Sequence, residues 1–302
     1  MRQQTFKHCR SRGPGAILLS LVASTLTLSS SGVFAAPLTE LNPAGPVSRQ
    51  IIDLMSITFG LMLLVLIPVL LLTVWIARRY RYNHPSADYR PDWNASPNIE
   101  RLLWLIPAVI VLILATLTWH YSQSLSPYRA LSTNQPPLQV QVIASRGGWW
   151  FIYPQQNLAT QNQLVIPVGR QVHLQLTADS RLSSLFIPRL AGQIYAMPGR
   201  RTQLYLQADK PGRFHGENTQ YNGSRFSDQR FSVRAVDEDH FKHWLRLVQH
   251  SDRRLDLAQY RKIEQNGDWR SIRYFADVSD HLFDRIIAAQ HAHTDFNQQR
   301  NV

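Results

Sequence analysis

The amino-acid sequence predicts a two-helix transmembrane hairpin followed by an all-β domain and a C-terminal helical segment. Three observations support this fold class. Two uncharged apolar runs, residues 57–76 and 102–121, are each long enough to cross a bilayer. After residue 122, short segments that alternate apolar and polar residues are separated by Gly, Pro and Asn, which is typical of β-strands and turns. After residue 236, apolar residues recur at helical spacing.

The composition excludes several classes of protein. Hydrophobic residues make up 44% of the 302 residues and aromatic residues 10%, which excludes a disordered or collagen-like chain. The formal charge of +12, from 32 Lys and Arg against 20 Asp and Glu, is compatible with nucleic acid, an anionic membrane or an acidic partner. Cys9 is the single cysteine, which excludes a disulfide framework, a CxxC redox pair, an iron–sulfur cluster and a cysteine-rich zinc site.

Residues 1–35 have the three-part pattern of a secretory signal peptide. A basic, acid-free stretch precedes an apolar run at residues 16–28, and small residues follow as far as Ala35. We therefore predict cleavage after Ala35. An uncleaved anchor is the alternative.

The two apolar runs predict membrane spans at about residues 51–77 and 101–121, within an N-terminal segment and hairpin that covers residues 36–121. Each run is about 30 Å long as a helix, which matches the hydrocarbon core of a bilayer. A buried helix of a soluble protein is the competing interpretation. Two such runs joined by one short, charged loop argue against it.

Basic residues indicate the orientation of the hairpin. The loop that joins the spans begins with Arg78 and Arg79 and also contains Arg90 and Arg101, and such residues mark the cytoplasmic side. The signal peptide independently places the mature N-terminus outside. We predict that the mature N-terminus and the C-terminal domain lie outside the membrane and that the loop of the hairpin lies inside. Because much of the positive charge then flanks the bilayer, we expect no nucleic-acid partner.

Residues 122–236 are predicted to form the β-domain. The segment that begins at Leu138 alternates apolar and polar residues, as a half-buried strand does. No helical period separates the strand candidates, so a parallel α/β fold is disfavoured and a sandwich or barrel is favoured. The strand candidates are residues 138–143, 149–153, 164–167, 171–177, 202–208 and 230–236.

Residues 237–302 are predicted to form an aromatic-rich helical segment. Asp237 can cap a helix. Two apolar stripes then follow at helical spacing, so this segment is expected to pack on a neighbour. The stripes are Phe241, Trp244, Leu245 and Val248, and Leu282, Phe283, Ile286 and Ile287.

Three stretches of the chain resemble subunit II of the haem–copper respiratory oxidases. They are Ile-Glu-Arg-Leu-Leu-Trp-Leu-Ile-Pro at residues 99–107, Trp-Trp-Phe-Ile-Tyr-Pro at 149–154, and residues 186–199, which contain Phe-Ile-Pro-Arg-Leu and Gln-Ile-Tyr-Ala-Met-Pro-Gly. The residues of these stretches are most similar to those of the ubiquinol oxidase branch, the cytochrome bo type. The resemblance implies a cupredoxin-like β-domain and covers about residues 40–290.

In the cytochrome c oxidase branch this domain holds two copper ions, and the resemblance locates the corresponding positions here. The histidine positions fall on Ser183 and Phe226, the cysteine positions on Asn218 and Asn222, the methionine on Gln229, and the residue that binds copper through its carbonyl on Gln220. Copper in such a site depends on soft sulfur ligands. Every side-chain ligand has therefore been lost, and we expect no metal in this chain. A tryptophan that serves electron transfer in the copper branch falls on Gly147, within the unusual segment Arg146-Gly147-Gly148.

Glu100 is the candidate functional residue of the hairpin. It lies at the cytoplasmic start of the second span, and the resemblance implies a role at the mouth of a proton-uptake path through subunit I. An ionisable group at a membrane interface can relay protons. The alternative is a capping glutamate paired with Arg101 or Arg90. No catalytic residue is predicted in this chain.

The resemblance implies a subunit of a proton-pumping ubiquinol oxidase that couples quinol oxidation to the reduction of oxygen to water. The haem, copper and ubiquinone would belong to subunit I, and this chain would have a structural, assembly and proton-uptake role without a redox centre of its own. Its expected partners are subunit I, small accessory membrane subunits and the lipid bilayer, and not cytochrome c. The alternative is a membrane-anchored periplasmic binding or sensor module outside any oxidase.

Overall fold

The computed structural model describes residues 42–81, 96–131, 135–146, 148–224, 226–266 and 270–299. The predicted signal peptide, the loop residue Arg90 and Gly147 lie outside these residues. Two long helices come first, α1 (Pro46–Arg79) and α2 (Pro97–Ser124).

Both helices are longer than the spans predicted from the apolar runs. α1 has 34 residues and α2 has 28, about 51 Å and 42 Å at 1.5 Å per residue. The predicted spans, about 51–77 and 101–121, lie inside them, because an apolar run marks only the hydrocarbon core while the helix continues into the interface. The apolar side chains of both helices are exposed rather than packed in a protein core, so the competing interpretation as buried soluble helices is wrong.

The start of α1 is fixed to the β-domain. Ala44 N and the Ser48 hydroxyl both donate to Arg189 O, at 2.8 and 2.7 Å, and Arg49 forms an ion pair with Asp209. Gly45 has no room for a side chain, because a Cβ there would overlap the carbonyl oxygen of Gln207. The first turn of the membrane helix and the β-domain are therefore held together by buried backbone contacts.

The β-domain is a sandwich of two mixed sheets. In the described residues one sheet has the order β12-β3-β2-β1-β5-β8, where β12 is the strand Arg273–Phe275 of the C-terminal segment, and the other has the order β4-β10-β9-β6-β7. β1 pairs in parallel with β5, and β4 in parallel with β10. The ten strands of the β-domain are β1 Leu138–Ser145, β2 Gly148–Tyr153, β3 Leu158–Gln161, β4 Gln163–Pro167, β5 Val172–Ala178, β6 Ser183–Ile187, β7 Ala191–Ala196, β8 Thr202–Leu206, β9 Gly212–Asn218 and β10 Arg230–Val236.

The sandwich core is aromatic. The ring centroids of Trp149 and Phe151 lie 5.4 and 5.1 Å from that of Phe231, and all three side chains are buried. Gly216 lies against the Phe231 ring, so a Cβ there would overlap it. This packing joins the two sheets through β2 and β10.

The C-terminal segment contains helices, as predicted, and also short strands that were not predicted. It contains α3 (Glu238–Gln249), α4 (Leu257–Asn266) and α5 (Leu282–Gln299), and also the short strands β11 (Arg254–Leu255), β12 (Arg273–Phe275) and β13 (Asp277–Val278). β12 pairs with β3 and so extends the larger sheet. A strand of three residues is too short to leave a period in the sequence, and its partner lies more than 100 residues away.

Candidate functional site

The positions that the resemblance assigns to copper meet at one end of the five-stranded sheet. Ser183 is the first residue of β6 and Asn218 the last of β9. β6 and β9 are antiparallel neighbours, so these ends lie together. The other four follow within eleven residues of Asn218: Gln220 and Asn222 in the loop, Phe226 at the start of a 3-10 helix (Phe226–Asp228), and Gln229 directly before β10.

Asn218 is the centre of a hydrogen-bond network at this end. Its Oδ1 accepts from Ser184 N at 2.8 Å and from Gln220 N at 3.0 Å. Its Nδ2 donates to Gln220 O at 2.9 Å and to Gln229 Oε1 at 2.6 Å. All four hydrogen bonds of the amide are made by a residue that is only 5% exposed. The Asn218 side chain therefore fixes the turn after β9 and joins it to β10.

Asn222 extends the network to β6. Its Nδ2 donates to the Ser183 hydroxyl at 3.0 Å and to Gln229 Oε1 at 3.1 Å. Ser183 and Gln229 are buried. The side chains at these positions are thus hydrogen-bonded to one another. They are two asparagines, a glutamine and a serine, where the resemblance places two cysteines, a methionine and a histidine.

Phe226 and Gln220 are arranged differently from the four network residues. The Phe226 ring packs edge-on against Tyr221, with centroids 5.3 Å apart. Gln220 takes part through its backbone, and its side chain donates to Tyr221 O at 3.4 Å. All six positions are therefore brought together, but only four join through their side chains.

A second polar cluster, which we call the tail junction, joins the C-terminal segment to the β-domain. The Tyr260 hydroxyl donates to Asp179 Oδ2 at 2.9 Å, and Glu264 Oε1 accepts from Trp150 Nε1 at 2.9 Å and from the Ser145 hydroxyl at 2.8 Å. Burial raises the pKa of Tyr260 well above its ordinary value, and the Asp179 and Glu264 carboxylates raise it further. Tyr260 therefore stays a protonated donor. Sequence reasoning missed this cluster, because its hydrogen-bonded pairs are separated by 81 to 119 residues.

Glu100 lies in the first turn of α2 and is exposed. There its charge is favourable to the helix dipole. Arg101 donates instead to Pro97 O at 3.1 Å and to Asn98 Oδ1 at 2.9 Å. The suggested pairing of Glu100 with Arg101 is therefore not formed, and Arg90 lies outside the described residues.

Two family descriptions match the chain. "Cytochrome C oxidase subunit II, periplasmic domain" matches residues 118–236, and "COX Aromatic Rich Motif" matches residues 249–293. The chain is 41% identical to ubiquinol oxidase subunit 2 of Acetobacter aceti over 90% of this chain and 89% of that one. It is 38% identical to cytochrome bo(3) ubiquinol oxidase subunit 2 of Pseudomonas putida over 82% and 79%.

The chain belongs to the ubiquinol oxidase subunit 2 family. The predicted resemblance to subunit II of the ubiquinol oxidases is thereby confirmed, and the alternative of an independent binding or sensor module is not favoured. The periplasmic domain of cytochrome oxidase subunit II from Bradyrhizobium japonicum is a distant structural neighbour, with a TM-score of 0.36 and 20% identity over 38% of this chain and 96% of that one.

The segment that matches the aromatic-rich motif contains the part of the tail junction that comes from the C-terminal segment. Residues 249–293 contain Tyr260 and Phe275, whose ring centroids lie 5.2 and 5.7 Å from that of Trp150. Burial of these aromatic rings on the outer face of the larger sheet is the main stabilising contribution expected at this junction. The motif therefore serves to attach the C-terminal segment to the β-domain.

The residues at the positions that the resemblance assigns to copper do not fit copper. A thiolate is a charged, soft ligand, whereas the amide and hydroxyl groups here are neutral, hard donors. They are also already bonded to one another, so metal binding would break the network. In the described part of the chain, no group of three or more His, Cys, Asp or Glu side chains could hold a metal ion.

Proposed function

We propose that this chain is the subunit of a ubiquinol oxidase that contains no redox centre, and that its role is structural. The observation that carries this proposal is the Asn218 network, which fills the former copper positions with mutually bonded neutral groups. A domain without a site for copper has no means to accept an electron from cytochrome c. The electrons of the complex would then come from ubiquinol at the partner subunit.

We also propose the orientation of the hairpin. The start of α1 and the residues after α2 both adjoin the β-domain, the latter through the 3.2 Å hydrogen bond from Tyr205 N to Pro127 O. Arg78 and Arg79 lie in the last turn of α1, at the opposite end of the hairpin. The positive-inside rule favours a cytoplasmic location for that end and a periplasmic location for the β-domain. The membrane would be the bacterial inner membrane, reached by way of a signal peptide removed after Ala35.

The partner of the hairpin would be a haem–copper subunit I, which would hold the haem, copper and quinone, together with small accessory membrane subunits. The exposed apolar side chains of α1 and α2 can contact either lipid or other membrane helices. Affinity purification of the tagged chain from native membranes in mild detergent tests this. Co-purification of a haem-bearing polytopic subunit is expected, and recovery of the chain alone would contradict the proposal.

Glu100 is proposed as a group that delivers protons from the cytoplasm to a path in subunit I. It is exposed, and no ion pair with Arg101 holds it. Glu100→Gln retains its size but cannot titrate, so turnover per haem should fall while assembly and haem content stay unchanged. Glu100→Asp should retain more activity.

The matched control is Glu238→Gln, an exposed glutamate in the first turn of α3 of the periplasmic part. It should leave turnover unchanged. Wild-type turnover in a fully assembled Glu100→Gln complex would refute an essential role in proton uptake. If Glu100→Ala mainly lowers the yield of complex, Glu100 is structural instead.

A further inference from the structure

A cavity of about 220 Å³ opens beside the Asn218 network. At about 30 Å³ for each water in the liquid, it has room for roughly seven water molecules. Ser183, Asn222, Phe226 and Gln229, four of the six former copper positions, line one side of it. The cavity is therefore a space left next to the lost metal site.

The remaining lining is basic and rich in hydroxyl groups. Arg146 and Arg181 both line the cavity, together with the hydroxyl-bearing residues Ser145, Ser180 and Ser224. No Asp or Glu is among the described residues that line it. The Ser145 hydroxyl and the Asn222 amide nitrogen already donate within the protein. Two guanidinium groups and the hydroxyls of Ser180 and Ser224 remain, and guanidinium and hydroxyl groups are donors that phosphate and sulfate sites use.

In the described part of the chain, no carboxylate forms an ion pair with Arg146 or Arg181. Among the described residues none forms a hydrogen bond or ion pair with the Arg146 guanidinium. Arg181 donates from Nη1 to Asn222 O at 2.5 Å, which is a backbone carbonyl without net charge. The Arg181 side chain also packs against Gly223, whose φ of +135° is a conformation that favours glycine. The loop thus holds the Arg181 guanidinium at the cavity, while the Arg146 guanidinium is available to bind an anion.

Two carboxylates that share a cavity with Arg146 are already engaged in the tail junction. Asp179 accepts from the Tyr260 hydroxyl, and Glu264 accepts from Trp150 Nε1 and the Ser145 hydroxyl. They line a neighbouring cavity, of about 530 Å³, on the other side of Arg146. They lower the local positive potential without filling the first cavity.

We infer that this cavity binds a small tetrahedral oxyanion, inorganic phosphate or sulfate, between Arg146 and Arg181. The site goes beyond the proposed function, since neither quinol oxidation nor proton uptake requires it. The site would also account for Arg146 in the unusual segment Arg146-Gly147-Gly148, because Arg146 lines the cavity. Gly148, the first residue of β2, has a positive φ and no room for a Cβ beside Asn162 Oδ1, so the start of this strand requires glycine.

The test is equilibrium dialysis of the intact, detergent-solubilised oxidase complex against radiolabelled phosphate, with sulfate as the competing ion. Saturable binding that sulfate displaces is expected in the wild type. Arg146→Gln removes a charge without breaking any described hydrogen bond, and it should weaken binding at least about tenfold. Arg146→Lys should retain part of the affinity, because it keeps the charge but not the forked geometry.

The matched control is Arg213→Gln, an exposed arginine near the other end of β9 from Asn218, about 17 Å away along the strand. It should bind phosphate as the wild type does. The inference is overturned if the wild type shows no saturable phosphate or sulfate binding, or if Arg146→Gln and Arg213→Gln bind equally. Because Arg181→Gln also removes a hydrogen bond of the loop, Arg146→Gln is the deciding variant.

Discussion

The Asn218 network makes a specific prediction about stability. Asn218→Ala removes four hydrogen bonds from an almost fully buried amide. The N–H of Ser184, which is fully buried, loses the acceptor that Asn218 Oδ1 provides, at a cost of about 1–3 kcal/mol. Gln229 lines the cavity and Gln220 is half-buried, so water can partly replace the amide at these two partners. We expect a total loss of about 3 kcal/mol in the free energy of unfolding.

A loss of this size is measurable by thermal unfolding. For a unit of 150–250 residues, 1 kcal/mol lowers Tm by about 2–4 °C, so Asn218→Ala should lower it by about 6–12 °C. Near-ultraviolet circular dichroism of the full chain in detergent reports on the site, because Trp149 Nε1 donates to Gln229 O at 3.2 Å.

Asn222→Ala is the matched control for this prediction. It removes two hydrogen bonds that border the cavity, where water has access, so it should cost only about 1 kcal/mol. If Asn218→Ala unfolds at the same temperature as Asn222→Ala or the wild type, the network does not stabilise this end of the domain.

Three further predictions follow from the site and the chain. The full chain, incubated with copper and desalted, should retain no stoichiometric copper by elemental analysis; two copper ions per chain with a purple absorption would refute the argument from the donor set. Because burial raises the pKa of Tyr260, its stabilising effect is complete below the unfolded value of about 10 and is lost as pH rises above it. The unfolding free energy of Tyr260→Phe, measured by denaturant titration, should therefore fall less steeply with pH above that value than the unfolding free energy of the wild type does. An equal slope for the two proteins would argue against a protonated donor to Asp179. Mass analysis of the purified subunit should find Ala36 as an unacylated N-terminus, and a retained Met1 or a lipid mass would contradict cleavage.

Local patterns predicted the elements that local sequence determines. The apolar runs predicted both membrane helices, and residues 230–236 form β10 with the bounds expected. Asp237 caps α3, since its Oδ1 accepts from His240 N at 2.9 Å, and the stripe through Phe241 and Trp244 is buried. Each of these features depends on residues that are close together in the chain.

Features that depend on distant residues were missed. Four strands of the β-domain were not predicted: β3 contains the buried polar residues Thr160 and Gln161, β6 begins with two serines, and β7 and β9 contain glycine. β12 is a strand because it covers the edge of β3, where Arg273 donates to Gln161 Oε1 at 2.7 Å. Pairing of this kind is set by tertiary structure and not by local propensity.

The candidate site was predicted in position but not in chemistry. The resemblance located Asn218 and Asn222, and it showed which ligands are missing. It could not show that the replacing groups bond to one another, because this depends on the rotamers and on the turn after β9. The basic cavity beside them was missed for the same reason, since Arg146 and Arg181 come from different loops.

The choice of electron donor tests the central claim most directly. Oxygen consumption by the complex purified through this chain should be measured with ubiquinol and, separately, with reduced cytochrome c. The account predicts oxidation of ubiquinol without oxidation of cytochrome c, because the site at Asn218 and Asn222 has no ligands for copper. Oxidation of cytochrome c by the purified complex, with copper bound in this subunit, would contradict it.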